Sequence, residues 1–211
     1  MLFRSAAFKL LQLDDQFRFL KRGARVVDLG AAPGGWIQVA VERTRPEETK
    51  GVVIGIDITP VEPISGATVL AKDFYDDDAP ALLTNLLGGP ADVVLSDMAA
   101  SATGDTQVDH LRIMGLAEAA AQFASEVLAP GGAFLCKVFQ GGTERELLDM
   151  LKRDFATVRH VKPHGALYNE AADDAAVADI IIDAVRDIDS RLAVMALAGS
   201  VLAEQIGRAH V

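Results

Sequence analysis

Short apolar runs alternate with helical spacing along this chain, and the alternation predicts its fold class. VVDL (26–29), GVVIGID (51–57), TVLAKD (68–73), DVVLSDM (92–98) and AFLCKVF (133–139) read as strands, being brief, β-branched and apolar on both alternate faces. Between them the helical period recurs after Trp36, near 79–87, from about 109 to 128 and from about 143 to 154. An amphipathic pattern, SAAFKLLQLDDQF, precedes the first strand. Strand and helix in alternation imply a parallel sheet wrapped by helices, the α/β doubly wound architecture.

The first strand runs into VVDLGAAPGGW (26–36), an apolar run read as ending in Asp28 and breaking into a glycine-rich turn. Gly30, Gly34 and Gly35 remove the Cβ atoms that would keep a ligand from the backbone. The turn has no lysine and no G-x-G-x-x-G spacing, so it fits neither a phosphate loop nor a dinucleotide fingerprint. An ordinary βα turn is the plain alternative. Ligands of open α/β sheets sit at the carboxyl ends of the strands, and there the sequence sets Asp57, Asp73 and Asp97. Asp57 suits the two hydroxyls of a ribose as a bidentate acceptor, or is a solvated strand end. Asp73 could accept from an exocyclic amine while Phe74 flanks a base, or simply start a turn.

AP-GG (129–132) predicts a tight turn leading into AFLCKVF, which puts Lys137 inside an apolar strand. A lysine there is costly unless it is paired or functional, and Asp97 is the expected partner. Lys9, on the amphipathic amino-terminal helix, reads by itself as a surface lysine.

With 211 residues, half of them apolar, the chain can bury the core of one domain, or of one plus a fragment. No run approaches about 18 consecutive apolar residues and no secretory pattern opens the chain, so a cytoplasmic address is expected. Cys136, the single cysteine, excludes an internal disulfide and is expected as strand packing. His160 and His164 share helical spacing, but Pro163 between them disrupts the helix that a metal pair needs, so no metal is expected. The formal charge of −10 argues against indiscriminate nucleic-acid binding and requires any RNA partner to meet a local patch.

Residues 6 to about 162 resemble the FtsJ/RrmJ family of ribosomal RNA large-subunit methyltransferases. The resemblance rests on AAFKLLQLDDQF, VVDLGAAPGGW, GIDITPVEPI, AKDF, VLSDMAASATG, LAPGGAFLCKVFQGG and VRHVKP, in that order. It implies a Rossmann-like fold, S-adenosylmethionine as cofactor, and methyl transfer to a uridine ribose 2′-hydroxyl of ribosomal RNA or the large subunit. It further implies that Gly34, Trp36, Asp57, Asp73 and Asp97 contact the cofactor and that Lys9, Asp97 and Lys137 are three of four catalytic residues. Lys137 could take the hydroxyl proton or stabilise the developing alkoxide, roles with different demands on its basicity.

After Pro163 the family pattern stops. Residues 161 to about 205 resemble instead the LamB/YcsF family, the A subunit of bacterial 5-oxoprolinase, of which VKPHGALYN is a recognisable segment. A strand-helix-strand tail (163–205) is therefore expected in place of the closing strand that carries the fourth catalytic residue, a glutamate. Glu170 is the nearest substitute and reads as a first-turn helix acid, while His164 and Asn169 lack the rest of the barrel. Val177, Ile180, Ile181, Ala184 and Val185 form a helical apolar stripe, and LAVMALAG (192–199) is a candidate to pair at the open sheet edge. LFRS (2–5) and IGRAHV (206–211) read as foreign ends, and the basic amino-terminal extension of the family is not present. Residues 1–160 carry 16 basic and 22 acidic groups and residues 161–211 carry 4 and 8, so neither part supplies a positive balance. The rival readings are a chain that binds cofactor without turnover, a nicotinamide-dependent oxidoreductase, and an oxoproline-cleaving hydrolase.

Overall fold

Short β-branched runs that are apolar on both faces suit strands covered on both sides, and here they become the centre of a parallel sheet. The computed structural model of the chain describes residues 5–100, 103–138, 144–155, 160–161, 173–189, 193–194 and 201. Its elements are α1 (Ser5–Phe17), β1 (Arg25–Leu29), α2 (Gly35–Thr44), β2 (Val52–Asp57), β3 (Thr68–Ala71), α3 (Ala79–Leu87), β4 (Ala91–Ser96) and α4 (Thr106–Val127). They continue with β5 (Leu128–Cys136), α5 (Glu144–Asp154), β6 (His160–Val161), α6 (Ala175–Asp189) and β7 (Ala193–Val194).

Five strands pair in parallel in the order β3-β2-β1-β4-β5. The order reverses between β1 and β4, the switch point at which ligands of open α/β sheets bind. The Rossmann-like α/β class read from the sequence is the one observed. Alternate residues divide between the two faces. Val26, Val53, Val93 and Leu95 join Ala7, Leu10, Trp36, Ile37, Val39 and Ala40 in one cluster beneath α1 and α2. Val27, Leu29, Ile54 and Ile56 are buried as well and turn to the opposite face. Each such side chain contributes about 1.5–3 kcal/mol by leaving water.

Helix α1 is tied to α2 by Asp14. Its buried carboxylate accepts the Leu20 N–H at 2.8 Å and faces Arg43 Nε at 3.4 Å. The helices lie close where α2 begins: a Cβ on Gly35 would meet the Ala7 Cβ of α1 at 3.5 Å, an ordinary van der Waals contact.

The first strand runs through Leu29, as VVDL (26–29) reads, so Asp28 lies inside it. The structure revises three local expectations. Ala129–Gly132 is not a separate turn: Ala91 pairs with Leu128 and Val93 with Ala133, so the AP-GG residues form a bulge within β5, with Gly131 at φ +81°. In α6 Ile181 of the expected stripe is buried together with Ala178 and Ile182 and Val177 is half-buried, but Ile180 is 67% exposed, and the side chains of Ala184 and Val185 lie outside the described residues. Within 192–199, Ala193 and Val194 pair in parallel with β6 in a two-stranded sheet of their own rather than at the edge of the larger one.

Contacts divide the chain into two units, Met1–Ser101 with Gly115–Lys137, and Ala102–Met114 with Val138–Val211. The five-stranded sheet belongs to the first and the two-stranded sheet to the second.

Candidate active site

At the carboxyl ends of the strands the backbone ladder runs on into the loops. Lys137 N–H donates to Ser96 O at 2.8 Å, Asp97 N–H to Leu29 O at 3.0 Å, Gly30 N–H to Ile56 O at 2.9 Å, and Lys72 N–H to Asp57 O at 2.9 Å. These bonds hold the residues just beyond each strand in sheet register. The two-residue alternation that puts Val26, Val53 and Leu95 under α1 and α2 sets Asp28, Asp57 and Asp97 on that same face. Lys137, two residues beyond the partly buried Leu135, follows the same alternation.

Asp97 and Lys137 form an ion pair, Oδ1 to Nζ. Their side chains keep 19% and 23% of their surface open, which leaves a reactant room to reach them. The lysine, expected inside an apolar strand, lies one residue beyond the end of β5 and has the partner that its partial burial calls for.

The turn after β1 is built for close approach. It contains a cis Ala32–Pro33 bond, and Gly30 and Gly34 have φ of +81° and +99°. A Cβ on Gly30 would fall 2.6 Å from the backbone N of Met98, and one on Gly34 2.9 Å from Ile64 Cδ1. Gly30 therefore lets the β1 turn and the β4 loop touch backbone to backbone. Asp57 braces this turn from β2: its Oδ2 accepts the Ala32 N–H at 2.9 Å and its Oδ1 the Thr59 N–H at 2.7 Å. Each oxygen retains a second lone-pair direction, so the carboxylate can still accept two hydroxyls.

Asp73 starts a turn, as its plain reading held, with Oδ1 accepting the Tyr75 N–H at 2.9 Å. Phe74 is half-buried and meets Phe123 of α4 edge-on, with ring centroids 5.6 Å apart and planes at 82°. Trp36 is a core side chain, 7% exposed in the α1/α2 cluster. Any contribution it makes to a ligand comes through the first-turn backbone of α2, where amide groups point outward. Lys9 is half-buried on α1 and engaged with its surroundings, not an idle surface lysine.

Asp28 went unassigned in the sequence. It is fully buried, and neither carboxylate oxygen has a hydrogen-bond partner. Burial first, then the charges of Asp97 and Asp57, holds its carboxyl well above the ordinary range. The signal was present: an acid within VVDL is as costly as a lysine within AFLCKVF.

Cys136 is the last residue of β5, as expected of strand packing, and burial pushes its thiol up to about 12. Glu170, His164 and Asn169 lie outside the described residues. Among the described residues no group of three or more His, Cys, Asp or Glu could hold a metal ion, and no helix is long and apolar enough to cross a membrane.

A backbone-lined turn, carboxylates on one face, and a lysine facing one of them fit a cofactor that carries a ribose and a positive charge. Gly34, the α2 first turn, Asp57 and Asp73 would hold its nucleoside part.

Known proteins point the same way. The pattern of the FtsJ-like methyltransferase family matches residues 3–169, and that of the LamB/YcsF family matches residues 144–211. The ribosomal RNA large subunit methyltransferase E of Paramagnetospirillum magneticum is 62% identical over 160 residues, and that of Rhodospirillum rubrum 61% identical over 159. Each match covers 75% of this chain but only 66% and 60% of the respective relative. A Plasmodium falciparum protein described as a ribosomal RNA methyltransferase superposes with a TM-score of 0.64 at 29% identity, covering 72% of this chain and 86% of that one.

Proposed function

This chain belongs to the FtsJ-like methyltransferase family, and from that premise we propose that it transfers a methyl group from S-adenosylmethionine to a ribose 2′-hydroxyl of uridine in large-subunit ribosomal RNA. The observation that carries the proposal is the Asp97–Lys137 pair on the sheet face that bears the glycine turn. When bound, the cofactor supplies an electrophilic methyl on a positively charged sulfur. The chain supplies position: the turn and Asp57 fix the donor, and the Asp97–Lys137 pair faces the acceptor, so that the sugar oxygen attacks in line. Lys137, held as the cation of an ion pair, is a donor, which favours stabilising the developing alkoxide over taking its proton. Lys9 comes from α1 as a second cation. Position at the strand ends supports these roles for Asp97 and Lys137 and cofactor contacts by Gly34, Asp57, Asp73 and Asp97; the roles of Lys9 and Trp36 rest on the family membership.

The catalytic domain of this reading is 6–162, and 163–205 is an oxoprolinase-like fragment; the two family matches support two parts and overlap over 144–169. Large ribosomal subunits are the partner and the cytoplasm the place, as befits ribosomal RNA. The relatives' printed names support the substrate class.

One observation favours a second reading, binding without turnover. The LamB/YcsF match begins at 144, inside the methyltransferase match, in the part of the chain where the fourth catalytic residue belongs. Transfer of labelled methyl from S-adenosylmethionine to large ribosomal subunits, measured alongside calorimetric donor binding, decides between them. Binding with transfer that Lys137→Ala removes supports catalysis; binding without transfer establishes the second reading; no binding overturns both.

A further inference from the structure

Asp28 is the buried group for which the reaction as drawn has no use. It lies fully enclosed in β1 with both carboxylate oxygens unpartnered, one strand away from Asp57 on one side and Asp97 on the other. An isolated carboxylate in that position costs several kcal/mol, so it must be paired or protonated.

The charges around it offer no pairing. Asp57 of β2 and Asp97 of β4 are both negative, and burial together with these two raises the Asp28 carboxyl. Lys137 is engaged with Asp97. Helix α2 carries its charges, Glu42 and Arg43, in its last turns, and Arg43 is held by Asp14 and Asp15 of α1. Helix α1 also brings Lys9, which has its own contacts. The three carboxylates are not a metal cluster among the described residues. What complements an enclosed, unpaired acid beside a cofactor turn is a cation that arrives with the ligand.

We propose that Asp28 is the proton-linked counter-group of the methyl donor: protonated in the free protein, it ionises when the positively charged sulfonium binds and takes its proton back once transfer has left a neutral thioether. The inference rests on the reading of this site as the donor site. It gives the protein a means of telling donor from spent product by charge. Across the pH window in which Asp28 is neutral in the free protein and ionised in the complex, donor affinity rises by up to about tenfold per pH unit. Affinity for the thioether product, S-adenosylhomocysteine, rises less.

The test is titration calorimetry of S-adenosylmethionine and S-adenosylhomocysteine at one pH in phosphate and in Tris, whose ionisation enthalpies differ. The expected result is release of about one proton per sulfonium bound and distinctly less per thioether, with Asp28→Asn losing the difference. Infrared difference spectra of the wild type give a second readout that needs no variant: the band of a protonated carboxyl disappears on adding S-adenosylmethionine and persists with S-adenosylhomocysteine. Binding heat with equal proton counts for both ligands, or an unchanged carboxyl band, overturns the inference while leaving the donor site standing. No binding heat from either ligand overturns the donor-site reading and this inference with it.

Discussion

The two units of the chain differ in what their residues are asked to do. In the first, the strand ends bring Asp57, Asp97, Lys137 and the Gly30–Gly34 turn onto one edge, held by backbone bonds between neighbouring strands. In the second, the described residues form helices and a sheet of two short strands, and apolar side chains such as Ala178, Ile181 and Ile182 are buried without any assigned chemical group beside them. A parallel sheet gives side chains from separate parts of the chain a common edge and a shared direction. A helix with one apolar face gives only packing. The contrast teaches where to look for chemistry in a chain matched by two families.

Four substitutions break or sharpen that contrast. Lys137→Ala has the largest expected effect: methyl transfer falls by about 10²- to 10⁴-fold while calorimetric donor binding persists. Full turnover in that variant would remove the ion pair from the mechanism. Gly30→Ala follows, because its new Cβ meets the Met98 backbone at 2.6 Å on a residue with φ +81°. Left-handed strain and overpacking together cost about 2–5 kcal/mol, read as a lowered Tm with weakened donor binding. An unchanged melting curve would mean that the two loops are free to part.

Asp28→Asn gives a smaller, pH-dependent effect. The folded-state carboxyl is raised above its unfolded value, so wild-type stability is fullest below the ordinary carboxylate range and declines as pH rises toward the folded value. The amide variant cannot ionise and escapes that decline. Its Tm gains on the wild type with rising pH, and the gain shrinks as pH falls toward 4; a gap independent of pH would place the effect in packing. Ile181→Ala has the smallest effect on the site. Removing a buried side chain in the second unit costs about 2–5 kcal/mol of local stability, followed by hydrogen exchange, and leaves donor affinity where it was. A fall in affinity would join the second unit to the donor site.

The fold was readable because VVDL, VVIGID and DVVLSDM are short, β-branched and largely apolar on both alternate faces, a pattern that suits a covered strand. The Asp97–Lys137 pair was readable for a related reason: a charge within an apolar run demands a partner. The same rule, applied to Asp28 within VVDL, would have found a buried acid whose oxygens have no hydrogen-bond partner. The bulge at 129–132 was not readable, because Pro130 and two glycines signal a turn whether or not the flanking residues stay paired with a neighbour. The phase of α6 failed at Ile180, since consecutive isoleucines fix that a helix is apolar before they fix which side is covered.

Cys136 shares its strand end with Lys137, and a thiolate there would be a better nucleophile toward an activated methyl than a hydroxyl. Because burial pushes that thiol up to about 12, the reactive thiolate is scarce at neutral pH. The strand thereby keeps this sulfur in its less reactive thiol form, so that in the proposed reaction it competes little for the donor.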